Sequence, residues 1–259
     1  MAELSADPIA QRSALLFRGC VRYLRWSLPE QFHGIRVARD GMPHAESGKP
    51  LIVYCNHPSW WDPAIMIVLG DTLLPSWETY GPMETEALKQ YGVLRKLGVF
   101  GLEPGARGAA RFLQVADHVL SNPHRALWIT AEGRFTDVRV RPVRIRPGIA
   151  HLARRVPGAT ILPLALDYVF WNESRPEALA RFGPPLEANA SLNVGQWQPR
   201  LEAALETSMD ALSADAMSHD LARFVSLLAG RTGVGGVYDA WRRVSSWARL
   251  RRFDPSHER

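Results

Sequence analysis

The chain has 259 residues, and its 46% hydrophobic content is enough for the core of one large α/β domain. Its formal net charge is +5, and most of its basic residues are arginine. This balance favours contact with anions such as phospholipid head groups, nucleotide phosphates or nucleic acid. The chain has no run of 18 apolar residues, which excludes a conventional transmembrane helix. Its two cysteines, Cys20 and Cys55, exclude a disulfide framework and a Cys/His zinc site.

The first residues lack the apolar region of a signal peptide. Together with the low cysteine content, this predicts a reducing, cytoplasmic setting. We therefore expect any membrane contact to be peripheral, on the cytoplasmic face.

Residues 8–26 are predicted to form one amphipathic helix that ends at Pro29. One face carries Ile9, Leu16, Phe17, Cys20, Tyr23 and Leu24, and the opposite face carries Gln11, Arg18, Arg22 and Arg25. Basic residues opposite aromatic ones are typical of a helix in a membrane interface. Packing of the apolar face against the rest of the domain explains the pattern equally well.

Strands and helices are then predicted to alternate along the chain. The strands are placed at 34–38, 51–55, 98–102, 126–130 and 160–166, and the helices at 64–69, 83–97, 107–120 and 149–155. Alternation of this kind implies βαβ units, so we predict an α/β fold with a largely parallel central sheet flanked by helices.

The last part of the chain is predicted to be helical and to pack on the same domain. Apolar residues recur at helical spacing at Leu201, Leu205, Met209 and Leu212, and again at Leu221, Phe224, Val225 and Leu228. A glycine-rich hinge at 230–236 and a moderately amphipathic tail at 237–252 follow. The expected organisation is an N-terminal helical segment (1–33), an α/β domain (34–190) and a helical C-terminal region (191–259).

The candidate catalytic motif is the stretch Asn56-His57-Pro58-Ser59-Trp60-Trp61-Asp62-Pro63, which lies between a predicted strand and a predicted helix. Each of the two prolines pushes the residue before it into extended geometry. If the turn brings His57 and Asp62 together, the carboxylate fixes the imidazole tautomer and leaves the other ring nitrogen as a base. Taken singly, Asp62 is better explained as a helix cap and His57 as a structural histidine, and the pair indicates catalysis only together with the other blocks.

A second candidate, Glu132, directly follows the predicted strand at 126–130 and precedes Gly133. Ligands of parallel sheets collect at the carboxyl ends of the strands. His57 and Glu132 both lie just past a strand end, so we expect one edge of the sheet to hold both.

Four arginines alternate with other residues in the segment 138–146, namely Arg139, Arg141, Arg144 and Arg146. In an extended chain Arg139 and Arg141 share a face, and so do Arg144 and Arg146. This basic ribbon is suited to the phosphates of coenzyme A, a carrier protein or anionic lipid. A solvated strand edge, protected from pairing by its charge, is the other interpretation.

The order and spacing of these blocks resemble those of the glycerolipid acyltransferase family over about residues 34–166. The blocks that are similar to the family's are, in order, Asn56–Asp62, Tyr91–Phe100, Ala131–Gly133 and Ile161–Leu164, and Pro147–Ala150 also fits. The resemblance implies an O-acyltransferase that uses no metal or further cofactor. Acyl-CoA or acyl carrier protein would be the cosubstrate and a lipid hydroxyl the acceptor.

By the same resemblance, His57 is the general base and Asp62 orients it, while amides at the start of the following helix stabilise the oxyanion. The implied substrate-binding residues are Asn56, Ser59, Glu132, Gly133, Arg134, Pro163 and Arg107. Glu132 would position the acceptor's hydroxyls. The implied partners are the acyl donor, the lipid acceptor and an anionic membrane surface.

The chain departs from the family pattern where the family binds the acceptor's phosphate. The second block normally ends in an arginine, but here it runs into Leu102-Glu103-Pro104, and Arg134 and Phe135 stand where threonine and arginine are usual. Either Arg107, Arg111 or Arg134 replaces the usual cradle, or the acceptor carries no glycerol phosphate. An inactive lipid-binding protein of the same fold is the alternative function. A nucleic-acid-binding protein is not expected, because the arginines are dispersed and no nucleic-acid motif is present.

Overall fold

The computed structural model describes residues 7–230. The α-helices of this part are α1 (Pro8–Gln11), α2 (Ala14–Ser27), α3 (Asp62–Leu73), α4 (Thr85–Gln90), α5 (Gly105–Leu120), α6 (Gly148–Arg155) and α7 (Val194–Ser218). The strands are β1 (Gly34–Ala38), β2 (Leu51–Cys55), β3 (Glu78–Glu84), β4 (Val99–Leu102), β5 (Arg125–Thr130), β6 (Thr160–Val169), β7 (Glu177–Phe182), β8 (Leu186–Glu187) and β9 (Phe224–Ala229). Short 3₁₀ turns occupy Leu28–Glu30, Arg39–Gly41, Gly92–Leu97 and Leu221–Arg223.

The strands form one mixed sheet in the order β4-β3-β5-β2-β6-β7-β1-β9, with β8 paired to β6. Every pairing from β4 to β6 is parallel, and β7 pairs with β1 in parallel as well. The β6–β7 and β1–β9 pairings are antiparallel. The predicted α/β fold with helices flanking a largely parallel sheet is therefore confirmed, most clearly in the half that contains β2.

Strand β2 lies at the centre of the fold and is buried on both faces. Ile52 and Tyr54 contribute to the core beneath α5, α6 and α7, whereas Leu51, Val53 and Cys55 contribute to the core beneath α3. All five side chains are fully buried. This double burial explains the continuous apolar run in the sequence, which a sheet exposed on one face would replace with alternation.

The predicted N-terminal helix is divided into α1 and α2. The division falls at Ser13, whose side chain accepts a hydrogen bond from the amide of Leu16 and so caps α2. Phe17 and Val21 are buried beside Ile67 of α3. Tyr23, which the sequence places on the same apolar face, is 60% exposed. Helix α2 therefore packs on the domain with one face and leaves other apolar side chains in solvent.

The helical character predicted over residues 83–97 is confirmed for most of the stretch, as α4 and a 3₁₀ turn, and is wrong only at its start. Met83 belongs to β3, which pairs in parallel with β5 and β4, and only α4 and a 3₁₀ turn follow it. At Met83 and Glu84, pairing with the neighbouring strand outweighs the local helical pattern, as tertiary context commonly does.

The helix predicted around Phe224 and Val225 is also wrong, because these residues lie in β9. Val225 is opposite Val37 in an antiparallel ladder, so β9 covers what would be an open edge of β1. The preceding helix is confirmed as α7, whose residues Leu201 and Leu205 are buried. The predicted tail at 237–252 and nearly all of the predicted hinge at 230–236 lie outside the described residues.

Across residues 7–230, every helix is too short or too polar to cross a bilayer.

The assignment of β9 can be tested by removing one side chain. Phe224 is 4% exposed and contacts Trp171 at 5.7 Å between ring centroids, so we expect Phe224→Ala to lower the free energy of unfolding by about 3–5 kcal/mol. Ser226→Ala changes an exposed residue of the same strand and should stay within about 0.5 kcal/mol of the wild type. Urea denaturation measures both. Equal effects would contradict the packing of β9.

Candidate active site

The candidate catalytic residues lie at the carboxyl edge of the parallel half of the sheet. His57 follows β2 and Glu132 follows β5, and these adjacent strands pair Cys55 with Thr130 at their ends. The amide of Ala131 donates to the carbonyl of Cys55 at 2.8 Å, which extends the pairing to the residue before Glu132. One edge of the sheet thus holds both side chains, at the end where parallel sheets bind their ligands.

The turn after β2 brings His57 and Asp62 into contact. His57 Nδ1 is 2.6 Å from Asp62 Oδ2. Asp62 is the first residue of α3, and its amide donates to the Ser59 carbonyl at 3.2 Å, which closes the turn. Because Asp62 accepts the proton on Nδ1, the other ring nitrogen, Nε2, remains as a base. The His57 side chain is 16% exposed.

Asp62 is completely buried and is satisfied by several donors. Besides the His57 ring, the Tyr168 hydroxyl donates to Asp62 Oδ1 at 2.7 Å and the Ser59 amide donates to Oδ2 at 3.2 Å. Burial, and secondarily the charge of Asp62, raises the pKa of Tyr168, so the phenol keeps the proton that it donates. The carboxylate therefore has a fixed position from which it aims the imidazole.

Tyr168 was not predicted from the sequence as a site residue. It lies near the end of β6, the parallel neighbour of β2 on the side opposite β5. The predicted strand at 160–166 ends two residues before it. The available signal was position, since a polar side chain just past that strand lies at the same edge as His57.

Glu132 and Thr136 hold the backbone of His57 from both sides. Glu132 Oε2 accepts from the His57 amide at 2.9 Å, and the Thr136 amide donates to the His57 carbonyl at 3.0 Å. Burial raises the pKa of Glu132, and hydrogen bonds from the His57 amide and the Thr136 side chain oppose this shift. One oxygen of Glu132 thus orients the catalytic loop, a contact that the sequence did not indicate.

Gly133 makes the turn after Glu132 possible. Its φ is +65°, and its amide donates to the Thr130 carbonyl at 3.3 Å. A Cβ at this position would lie 2.5 Å from Arg146 Nε. The backbone conformation and the close approach both favour glycine.

Three other residues that the sequence singled out are part of the scaffold. The Asn56 side chain is buried and bonds the backbone of Leu166 in both directions, at 2.9 and 2.8 Å, so it extends the β2–β6 pairing by one residue. Ser59 Oγ accepts from the Trp61 amide at 3.2 Å. Pro163 is buried inside β6 opposite Tyr54. Their predicted contacts with substrate remain predictions.

The two predicted arginines are exposed and lie at different distances from His57. Arg134 directly follows Gly133 and acts electrostatically on Glu132. Arg107 is in the first turn of α5, after β4, which is three strands from β2 in the sheet. At about 4.8 Å per strand, this places it at the same edge but about 14 Å along it.

The basic ribbon predicted at 138–146 is wrong. The segment is a loop, and carboxylates neutralise most of its arginines. Arg141 Nε is 2.9 Å from Asp210, Arg144 Nη1 is 3.0 Å from Glu202, and Arg139 pairs with Asp137. Residues 202, 206 and 210 follow one face of α7, because residues four apart in a helix are neighbours. The loop is therefore fastened to α7 and does not present a row of free cations.

Three amides of the turn that leads into α3 are already engaged. The amides of Ser59, Trp61 and Asp62 donate within the turn, to Asp62 Oδ2, Ser59 Oγ and the Ser59 carbonyl respectively. Of these, the Asp62 amide lies at the start of α3, where oxyanion donors were predicted, and its bond to the Ser59 carbonyl excludes it as a donor.

In the part of the chain that the structure covers, no group of three or more His, Cys, Asp and Glu residues is placed to hold a metal ion.

A family model described as Acyltransferase matches residues 32–167, which is more than half of the chain and includes His57, Asp62 and Glu132. The chain belongs to the acyltransferase family. The resemblance noted from the ordered blocks is confirmed, and the protein is an acyltransferase. Comparison with curated proteins gives no match.

The fold of this acyltransferase is similar to a solved structure described as the 1-acyl-sn-glycerophosphate (LPA) acyltransferase PlsC from Thermotoga maritima. The TM-score is 0.55 and the identity is 14%, over 76% of this chain and 80% of the other. At this identity the likeness shows a shared fold.

The raised pKa of Glu132 predicts how stability depends on pH. In the folded protein Glu132 keeps its proton at pH values above 4.5, the ordinary pKa of the group. Ionisation therefore destabilises the fold as pH rises from about 4.5 through the raised pKa. The amide side chain introduced by Glu132→Gln keeps an oxygen for the His57 amide and cannot ionise. We expect the stability of this variant relative to the wild type to increase from about pH 4 to about pH 7. Urea denaturation across this range measures the difference.

Glu103→Gln alters an exposed carboxylate and serves as the control, with no such trend expected. A relative stability of Glu132→Gln that falls with pH would contradict the account of Glu132.

Proposed function

We propose that this acyltransferase moves a fatty acyl group from a thioester to a lipid hydroxyl, with His57 as general base and Asp62 as the group that orients it. The observation that supports this is the 2.6 Å contact between His57 Nδ1 and the fully buried Asp62 carboxylate. An imidazole held in one tautomer, with Nε2 unprotonated, is suited to removing a proton from a hydroxyl. Because the chain belongs to the acyltransferase family, we propose that the reaction this base promotes is acyl transfer.

In the proposed mechanism, His57 Nε2 accepts the proton of the acceptor hydroxyl as its oxygen attacks the thioester carbonyl. A C–O bond forms and a tetrahedral intermediate carries the negative charge. The intermediate collapses, the C–S bond breaks, and the imidazolium returns its proton to the departing thiolate. Asp62 stabilises the imidazolium throughout, and its other contacts keep it in place.

Direct transfer is favoured over a covalent serine intermediate. The sequence contains no Gly-x-Ser-x-Gly elbow, and Ser59 Oγ is engaged with the Trp61 amide. We propose acyl-CoA or acyl carrier protein as the donor, with no further cofactor.

We also propose a peripheral contact with anionic membrane, made by α2. Its exposed apolar side chains are Leu15 (76% exposed), Leu16 (45%), Tyr23 (60%) and Trp26 (72%). Arg18 and Arg22 are exposed on the same helix. Amphipathic helices with exposed aromatics beside arginines bind the interface of anionic bilayers. This contact would bring a lipid acceptor to the enzyme on the cytoplasmic face.

Removal of the base tests the mechanism. We expect His57→Ala to lower turnover by about 10²–10⁴-fold while the protein remains folded, since general-base catalysis contributes an effect of that size. The assay combines labelled palmitoyl-CoA with a total lipid extract and follows thiol release together with mass spectrometry of newly acylated lipid.

His151→Ala, which alters an exposed histidine of α6, should retain wild-type turnover. Near-normal thiol release by folded His57→Ala in the presence of the acceptor would contradict the mechanism. Failure of the wild type to acylate any lipid, combined with binding to liposomes, would favour an inactive lipid-binding protein.

The membrane contact is tested by a double substitution on α2. Leu15→Ser with Trp26→Ser removes two exposed apolar side chains, and we expect at least about a tenfold loss of affinity for vesicles that contain anionic lipid. Met217→Ser, at an equally exposed site on α7 (76% exposed), is the matched control and should bind like the wild type. Co-sedimentation gives both affinities. Equal binding by all three proteins would exclude α2 as the contact.

A further inference from the structure

We infer that a second site, at the edge of the sheet opposite His57, binds a phosphate group between Arg12 and Arg125. The site lies away from the catalytic residues and goes beyond the proposed function. Its basis is a cavity of about 540 Å³ whose lining includes both arginines. The contacts of the two guanidinium groups and the charges around them indicate the ligand.

The cavity lies at the amino ends of β3 and β5. Glu78 and Arg125 are the first residues of these strands and are partners in the parallel pairing. Glu132, in contrast, follows the carboxyl end of β5. At about 3.3 Å per residue, β5 alone separates the two edges by about 17 Å. A ligand in the cavity therefore leaves the catalytic edge open.

Aromatic rings hold the guanidinium of Arg12. Its Cζ lies over the Phe17 ring at 4.6 Å and over the Tyr80 ring at 5.6 Å, and the side chain is only 8% exposed. Within residues 7–230, no acceptor lies within hydrogen-bonding distance of its buried Nε. Cation–π contacts position the group without using an acceptor oxygen, so Arg12 is held in place with donor capacity to spare.

Arg125 is held in a similar state by one shared carboxylate. Its side chain is 18% exposed, and its buried Nε also has no hydrogen-bond acceptor among the described residues. Glu78 is 3.6 Å from Arg12 Nη1 and 3.7 Å from Arg125 Nε, which is too far for a hydrogen bond. The Glu78 side chain is 51% exposed, so it can swing away. A phosphate offers oxygens to both guanidinium groups and forms charge-assisted hydrogen bonds with them.

The charges that line the cavity favour an anion. Its ionisable side chains are Arg12, Asp71, Glu78, His124 and Arg125. Arg25 binds Asp71 at 2.9 Å and neutralises it. Glu78 offsets one of the two arginines, so one positive charge remains, and His124 adds another when it is protonated. A phosphate group, with a charge of about −1.5 to −2 as a monoester, complements this balance.

The start of α2 brings this site close to the proposed membrane contact. Arg12 directly precedes Ser13, the cap of α2, and the exposed residues Leu15 and Leu16 follow in the first turn. The phosphate of an anionic lipid head group is thus one source of the ligand, and free phosphate is the other. Both present the same oxyanion to the arginines.

Isothermal titration calorimetry on the full chain tests the site with two probes. These are inorganic phosphate and dihexanoylphosphatidic acid, the latter kept below its critical micelle concentration. We expect Arg12→Gln and Arg125→Gln each to weaken phosphate binding by at least about tenfold, because hydrogen bonds to charged groups are strong. Tighter binding of the lipid identifies a head group as the source, and equal or tighter binding of inorganic phosphate identifies the free ion.

Two further variants distinguish a bound phosphate from general damage to the fold. Glu78→Gln removes the competing carboxylate, and we expect it to tighten binding by at least about threefold. Arg200→Gln removes an exposed arginine of α7 and should bind like the wild type. Thermal unfolding checks that each variant is folded. If Arg12→Gln fails to fold, Arg125→Gln and Glu78→Gln decide the result.

The binding result is independent of the catalytic proposal. His57→Ala should bind phosphate like the wild type, and Arg125→Gln should keep wild-type turnover with substrates dispersed in detergent. Absence of binding to the wild type, or binding that is unchanged in folded Arg125→Gln, overturns the site. Loss of turnover in folded Arg125→Gln overturns its separation from catalysis.

Discussion

The structure depends on a buried carboxylate at the start of α3. Asp62 has no exposed surface, and a buried charge is strongly unfavourable unless hydrogen bonds satisfy it. Its donors are the Ser59 amide, the Tyr168 hydroxyl and the His57 ring. These groups come from the turn after β2 and from the end of β6, so one residue joins two neighbouring strands to the start of α3. The direction of the imidazole follows from that requirement.

A second set of contacts holds the loop that faces the imidazole. Glu132 and Thr136 bind the backbone of His57, and the loop then continues along α7. Glu206 accepts from the Val143 amide at 2.7 Å, and Glu202 accepts from the Ile145 amide at 3.2 Å. The family match ends at residue 167, yet α7, which lies beyond it, fastens the loop that carries Phe135. Helix α7 thus supports the site indirectly, through charge pairs and backbone amides.

The sequence was sufficient to predict those parts of the structure that interactions between residues close in the chain determine. The apolar run of β2 and the residues before Pro58 and Pro63 predicted the strand and the turn, and they allowed His57 to approach Asp62. Strand β9 could not be predicted, because its residues become a strand only by pairing with β1. The contacts of Tyr168 and Phe135 depend on which strands are neighbours, and sequence spacing does not contain that information. Arg141 and Arg144 show the same limit, since their partners on α7 are about 60 residues away in the chain.

The central claim is that Asp62 holds the His57 imidazole in the tautomer with the proton on Nδ1. The most direct measurement is ¹⁵N NMR of the histidine side chains in the neutral enzyme, with His57 assigned by its absence from the His57→Gln spectrum. The account predicts a protonated Nδ1 and an unprotonated Nε2, with a mixture of tautomers in Asp62→Ala. A proton on Nε2 in the wild type, or identical spectra with and without the carboxylate, would contradict it.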